Sequence, residues 1–298
     1  MWKQYFTPNT LSDALQLIEQ YHGRAQIIAG GTDLVLDFSS NKYPSVEALI
    51  DISSIPELRK ITLEDRVVSI GSAVTLSEII HSDELKSHTA VLVDAARHIA
   101  GPQIRNIATI GGNVVNASPA ADMVPALLVL GSMVSITSYK REVREIHLSE
   151  FLLGNRKVGL QAGEIVTGFH FTLPDHAVRY YFRKVQPRQS MAIAILNLAI
   201  LLKVEINRIV DVRIAIGAAA PTAVRIKTVE KELINLPVKL AANPKLYAGV
   251  IHDISPISDF RASKKYRLCV AKNLLHEAIV ELLHLSEERS LEELPHEA

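Results

Sequence analysis

Two glycine pairs, Gly30-Gly31 and Gly111-Gly112, constrain this chain more than any other feature. The first sits in Ile27-Ile28-Ala29-Gly30-Gly31-Thr32-Asp33-Leu34, between a β-rich run and a segment able to begin a helix. The second sits in Thr109-Ile110-Gly111-Gly112-Asn113. Paired glycines let a backbone adopt positive φ and approach a ligand with no Cβ in the way. The N–H groups of such a turn form an anion-binding nest, and a helix starting at Leu34 adds its positive end. Thr32 and Thr109 place a hydroxyl at the shoulder of each turn. Either motif alone reads equally well as an ordinary turn into a helix. Together they suggest two phosphates gripped from both sides, and so a dinucleotide. The spacing G-x-G-x-x-G is absent after the first strand and there is no G-x-x-x-x-G-K-[ST] loop, so the site is not of the Rossmann or P-loop kind.

The second motif runs on through Asn116-Ala117-Ser118-Pro119 to Asp122, near the start of a helix. A carboxylate there either complements the helix dipole or accepts hydrogen bonds from ribose hydroxyls. Ser118 lacks the G-x-S-x-G surround of a nucleophile elbow. No H-E-x-x-H or C-x-x-C pattern occurs, and His81, His88, His98, His170, His276 and His284 read as structural or surface residues.

Periodicity along the chain predicts an α+β protein. A helix capped by Thr10 is stopped by Gly23, strands cover 25–29, 48–52 and 67–70, and Thr75-Leu76-Ser77-Glu78 is a capping box. Helices follow over 91–100 and 121–130, with a glycine-containing loop over 108–117 between them, then strands at 133–137, 143–147 and 164–172. Pro174-Asp175 marks a domain boundary. Beyond it strands at 180–184, 194–205 and 209–216 precede helices over 224–234, 245–254 and 264–285, the last with Tyr266, Val270, Leu274, Ala278 and Leu282 on one face. The charged stretch from Glu287 to Ala298 lacks periodicity and is expected to be a mobile tail.

With 298 residues, the chain has room for two domains of about 150 residues. Lys plus Arg equals Asp plus Glu at 32 each, which argues against a nucleic-acid binder. Cys269 is the one cysteine, so neither an internal disulfide nor an iron–sulfur cluster can form within the chain. The first residues lack signal-peptide design, and the apolar run Met191 to Leu202 carries Asn197 and is too short to span a bilayer. A cytoplasmic protein without a membrane span is expected.

The sequence resembles the FAD-binding subunit of the molybdenum hydroxylases, the xanthine dehydrogenase family. The likeness is carried by Ile27 to Leu34, Gly101-Pro102-Gln103-Ile104-Arg105-Asn106, Thr109 to Asp122, Phe182-Arg183-Lys184-Val185 and Arg261-Ala262-Ser263-Lys264-Lys265-Tyr266-Arg267. It runs from about Tyr5 to Leu283, with the look of separately encoded bacterial xanthine dehydrogenase FAD subunits. It implies an FAD-binding domain of the vanillyl-alcohol oxidase (PCMH) type over 1–173, with two subdomains around the cofactor. A small sheet-plus-helices domain like the CO dehydrogenase flavoprotein C-terminal domain would follow over 174–286. The same resemblance gives Ile27 to Leu34 and Thr109 to Asn113 the FAD pyrophosphate, Asp122 the ribose or adenosine, Ile165 the adenine end and Lys184 the isoalloxazine. Arg105 would anchor the second loop or meet a partner.

By resemblance the chain is an electron-transfer subunit of a heterotrimeric enzyme of purine or related metabolism. One partner would be a large subunit carrying molybdopterin, the other a small subunit carrying [2Fe-2S] clusters, with NAD+ or another compound as acceptor. The loop Gln186-Pro187-Arg188-Gln189-Ser190 lacks the paired arginines and acidic run of the fused mammalian enzymes, which leaves the acceptor open. Two alternatives stand beside this reading: a stand-alone flavin reductase of the same fold, and a scaffold that has lost the cofactor.

Overall fold

The computed structural model describes residues 2–40, 42–139, 143–174, 178–188 and 191–292. The fold begins with a helix, Leu11–Tyr21, whose N-cap Thr10 accepts from the Asp13 amide at 3.1 Å. Its Ala14, Leu15 and Ile18 are buried against a parallel sheet. In that sheet Ala48–Asp51 lies between Gln4–Phe6 and Ala25–Ile28. The helix stops where His22 and Gly23 turn left-handed, at φ 47° and 80°, as a glycine C-terminal signal implies.

The second unit is a five-stranded antiparallel sheet in the order Ile61–Glu64, Val67–Gly71, Glu164–Thr172, Met133–Ser138, Arg144–His147. The late strand Glu164–Thr172 therefore closes the middle of a sheet built from early strands. Helices Leu76–His81 and Ala90–Arg97 pack with Met123–Val129 in its core. The Thr75–Glu78 capping box predicted from sequence is formed in both directions.

Val178–Val185, Leu196–Glu205, Arg208–Gly217 and Val224–Arg225 form a third, antiparallel sheet in chain order. Leu196–Glu205 is buried on both faces, which explains its nearly unbroken apolar run. Its Ala199 and Leu201, with Ala215, join the core that holds the Met123–Val129 helix. Leu198, Ile200 and Leu202 face the other way, into a core completed by Tyr247, Val250 and the long helix Lys264–Glu292. The small alanines let the sheet lie close on the helices, so the two halves of the chain share an apolar core.

Three sequence expectations shift in detail. The segment 224–234 is a short strand followed by the helix Lys227–Leu233, and 245–254 is the 3-10 helix Pro244–His252. On the last helix Tyr266 is half exposed while Ala271, Leu275 and Ile279 are buried, because a 3.6-residue turn drifts off a strict four-residue stripe. That helix also runs past Glu287 to Glu292. The remainder of the expected mobile tail, Asp175 of the expected boundary, and Gln189 and Ser190 of the second-domain loop lie outside the described residues. Among the described residues no helix is long and apolar enough to cross a membrane.

Candidate functional site

The first glycine turn follows directly from the edge strand Ala25–Ile28 and opens the helix Leu34–Ser39. Its two glycines are required for different reasons. A Cβ on Gly30 would stand 2.1 Å from the Ile107 carbonyl oxygen, so the turn can press against the lead-in to the second motif only as glycine. Gly31 has φ +66°, a left-handed conformation that glycine adopts without strain. Among the described residues, the amides of Gly30, Gly31, Thr32, Asp33 and Leu34 donate to no protein acceptor. A run of N–H groups without partners is an incomplete structure unless water or a ligand supplies the acceptors.

The second motif differs from its sequence reading: Thr109–Asn113 is not a loop but the start of the helix Ile110–Val115. Thr109 is the N-cap, and its hydroxyl accepts from the Gly112 amide at 3.0 Å. Ile110 and Gly111 donate to the carbonyls of Val74 and Ser72 at 3.0 and 2.9 Å. Gly111 is glycine because a Cβ would meet the Ser72 carbonyl oxygen at 2.5 Å. At Gly112 a Cβ would meet only the Thr109 hydroxyl, at 3.0 Å, and the residue lines the cleft. Two glycines in one helical turn conceal its apolar periodicity from sequence.

Between the two turns lies a cleft of about 630 Å3, with Gly30 to Leu34 on one wall and Thr109, Gly112 and Asn113 on the other. A second lobe of about 310 Å3 shares Ile27, Ala29 and Gly112 with it and is lined by Gly163, Ile165 and Ser72. Ile28 lies in the strand behind the first turn, buried against Gly31. The Ser72 hydroxyl is buried without a partner. Together the lobes form a groove within the usual size of small-molecule sites, with the unpartnered amides of Gly30 to Leu34 along the larger one.

Asp122 and Lys184 line neither lobe. They meet each other: Lys184 Nζ donates to Asp122 Oδ2 at 2.7 Å and to the His98 carbonyl at 3.0 Å. Asn197 Nδ2, opposite Lys184 in the ladder, completes the carboxylate at 2.8 Å. The two charged residues are only 5% and 9% exposed. Burial pushes the Asp122 carboxyl above the usual carboxylate range, against the opposing pull of Lys184 and Asn197. Lys184 is thus a buried strand cation at the junction of the two halves. Asp122 makes no cap to its own helix. The His98 carbonyl that Lys184 holds precedes Ile99 and Ala100, which line the larger lobe.

Arg105 anchors the approach to the second motif, donating to the carbonyls of Ile99 and Ala100 at 2.9 Å each. Ala100 is left-handed, at φ 43°, and the guanidinium holds that turn. Sequence reasoning missed Lys42, Asn116 and Arg156 in the cleft wall and Ser72 in the smaller lobe. Asn116 directly continues the second motif, whereas the other three come from other segments and no short spacing marks them. Among the described residues no group of three or more His, Cys, Asp or Glu could hold a metal ion.

Residues 2–174 match the FAD binding domain in molybdopterin dehydrogenase, and residues 180–282 match the CO dehydrogenase flavoprotein C-terminal domain. The chain is 34% identical over 282 residues to a putative xanthine dehydrogenase FAD-binding subunit of Escherichia coli, covering 93% of this chain and 94% of that one. It is 35% identical over 206 residues to the nicotinate dehydrogenase FAD-subunit of Eubacterium barkeri, covering 68% and 69%. Its fold is similar to that in reconstituted CO dehydrogenase from Oligotropha carboxidovorans, with TM-score 0.90, 26% identity and coverage of 95% and 98%.

Proposed function

The chain belongs to the FAD-binding subunits of the molybdenum hydroxylase family, and on that premise we propose that it is the electron-transfer subunit of a xanthine dehydrogenase-like enzyme. A large partner subunit carries molybdopterin and oxidises xanthine or a related N-heteroaromatic, and a small partner carries [2Fe-2S] clusters. NAD+ is the acceptor this reading takes first. The relatives whose names give a substrate include xanthine, nicotinate, caffeine and carbon monoxide dehydrogenases, and the xanthine-type likeness extends over nearly the whole chain.

FAD fits the groove on features of the chain itself. The free amides of Gly30 to Leu34 and the orphaned Ser72 hydroxyl require acceptors, and a Cβ at Gly30 or Gly111 would collide with backbone. In this assignment Ile27 to Leu34 and Thr109 to Asn113 hold the pyrophosphate, and Ile165 lies beside the adenine. Ile99 and Ala100 border the isoalloxazine, and Lys184, paired with Asp122, holds the His98 carbonyl just before them. Asp122 acts here by holding that lysine, with the ribose contact kept as its second role. A bound flavin supplies the exchange between single-electron donors and a two-electron acceptor. The chain's residues position it, exclude water from it and set the charge around it; no general acid or base is assigned to them.

The observation that carries this reading is the run of unpartnered amides opening on a two-lobed groove. The test is to co-purify the chain with its partners, identify the subunits by mass, and add NADH without oxygen. Bleaching of the visible flavin band by NADH, and separately by a hydroxylatable purine, is the expected result. A flavin bleached by the purine but not by NADH would replace NAD+ with another acceptor.

A further inference from the structure

The glycine turns offer a pyrophosphate only neutral donors, yet the larger cleft already holds two carboxylates, Asp33 and Asp37. Lys42 and Arg156 are the lysine and arginine among its described lining residues. Both lean on one carboxylate: Lys42 pairs with Asp37 Oδ1, and Arg156 Nη1 stands 3.9 Å from Oδ2. Asp37 is therefore shared between two cations, and neither has a carboxylate to itself.

Arg156 is placed between the two motifs. Asp37 lies one helical turn past the first, its amide donating to Asp33, and Asn116 lies one turn past the second, its amide donating to Gly112. The Arg156 guanidinium donates to the Asn116 side-chain oxygen while facing Asp37. Its backbone is fixed as well, at φ 57° in the turn between Leu152–Gly154 and Lys157–Val158, with its amide on the Ala117 carbonyl at 2.9 Å. The side chain remains 45% exposed, and a guanidinium has five donors in a fork that matches phosphate oxygens. Only Nη1 is committed to Asn116.

We propose that Arg156, held between the glycine motifs by Asn116 and Asp37, is the charged anchor of the dinucleotide pyrophosphate in this chain, with Lys42 as a weaker second. The proposal rests on the flavin reading above. Flavin is removed from the full-length chain, and FAD is titrated back at increasing salt, followed by flavin fluorescence. Circular dichroism verifies that each variant is folded. Arg156→Met is expected to weaken FAD binding by about ten- to a hundredfold and to flatten its dependence on salt. Arg156→Lys recovers part of both effects, and Lys42→Met gives a smaller loss. Wild-type affinity in Arg156→Met overturns the proposal. So does weaker binding with an unchanged salt slope, since a structural clamp would give that result. Failure of the unaltered chain to bind FAD would remove the flavin reading itself and the proposal with it.

Discussion

At the scale of single residues, the site depends on contacts that tolerate little change. Removing one partner of a buried ion pair leaves the other charge buried and uncompensated. Lys184→Met is therefore expected to destabilise the chain by about 3–5 kcal/mol in urea unfolding. The double variant Asp122→Leu with Lys184→Met should recover much of that loss, because no lone charge remains. Equal losses in the single and double variants would show that packing, not charge, governs the junction. Gly30→Ala must push a methyl into the Ile107 carbonyl and is expected to cost about 1–3 kcal/mol. Gly154→Ala, whose Cβ meets nothing within 4 Å, serves as the control that leaves stability unchanged in the same thermal melt.

At the scale of elements, the loop before the last helix is held by one carboxylate. Burial pushes Asp259 upward, but hydrogen bonds from the Arg261 side chain, the Arg261 and Ala262 amides and Arg267 hold it well below the usual carboxylate range. Arg267, almost fully buried, ties that loop to the carbonyls of Ile195 and Ala218. Ala218 in turn donates its amide to Pro119 at 2.6 Å, so the network reaches the segment after the second glycine pair. A depressed folded-state pKa contributes stability in full above the unfolded value of about 4, and that contribution is lost as pH falls further. Asp259→Asn is thus expected to lower the melting temperature most at neutral pH and progressively less below about pH 4. A difference from wild type that does not change with pH would contradict this account.

The elements that carry a local signal were legible before the structure. Thr10, the Thr75 capping box and the Gly23 stop each act within a few residues, and the strand and helix they delimit are where the sequence places them. The first glycine turn was equally visible. The second was recognised as a motif but not as a helix, since its two glycines weaken the helical pattern that Ser72 and Val74 enforce from another strand's end. Lys184 and Asp122 could be named only by resemblance, and their pairing across 62 positions left no trace in either local segment. Arg156 and Lys42 belong to the same class of residue, assembled by topology alone.

At the scale of the whole molecule, the three larger sheets among the described residues build one groove. The parallel sheet supplies the first glycine turn, and the antiparallel sheet cradles the helix that carries the second. The last sheet lays its small-residue face on that unit and brings Lys184 to the His98 carbonyl, just before Ile99 and Ala100 of the groove wall. Separating the last sheet from the rest would expose its Ala199, Leu201 and Ala215 together with the helix they cover, so the halves are expected to melt in one transition by calorimetry. Two well-separated transitions would show that the shared core does not couple them. The most direct test of the central claim is the flavin content of the purified full-length chain, with the released cofactor identified by mass. One FAD per chain, reduced sharply in Gly30→Ala and retained in Gly154→Ala, is the predicted result; a folded wild-type chain that neither carries nor takes up FAD would contradict it.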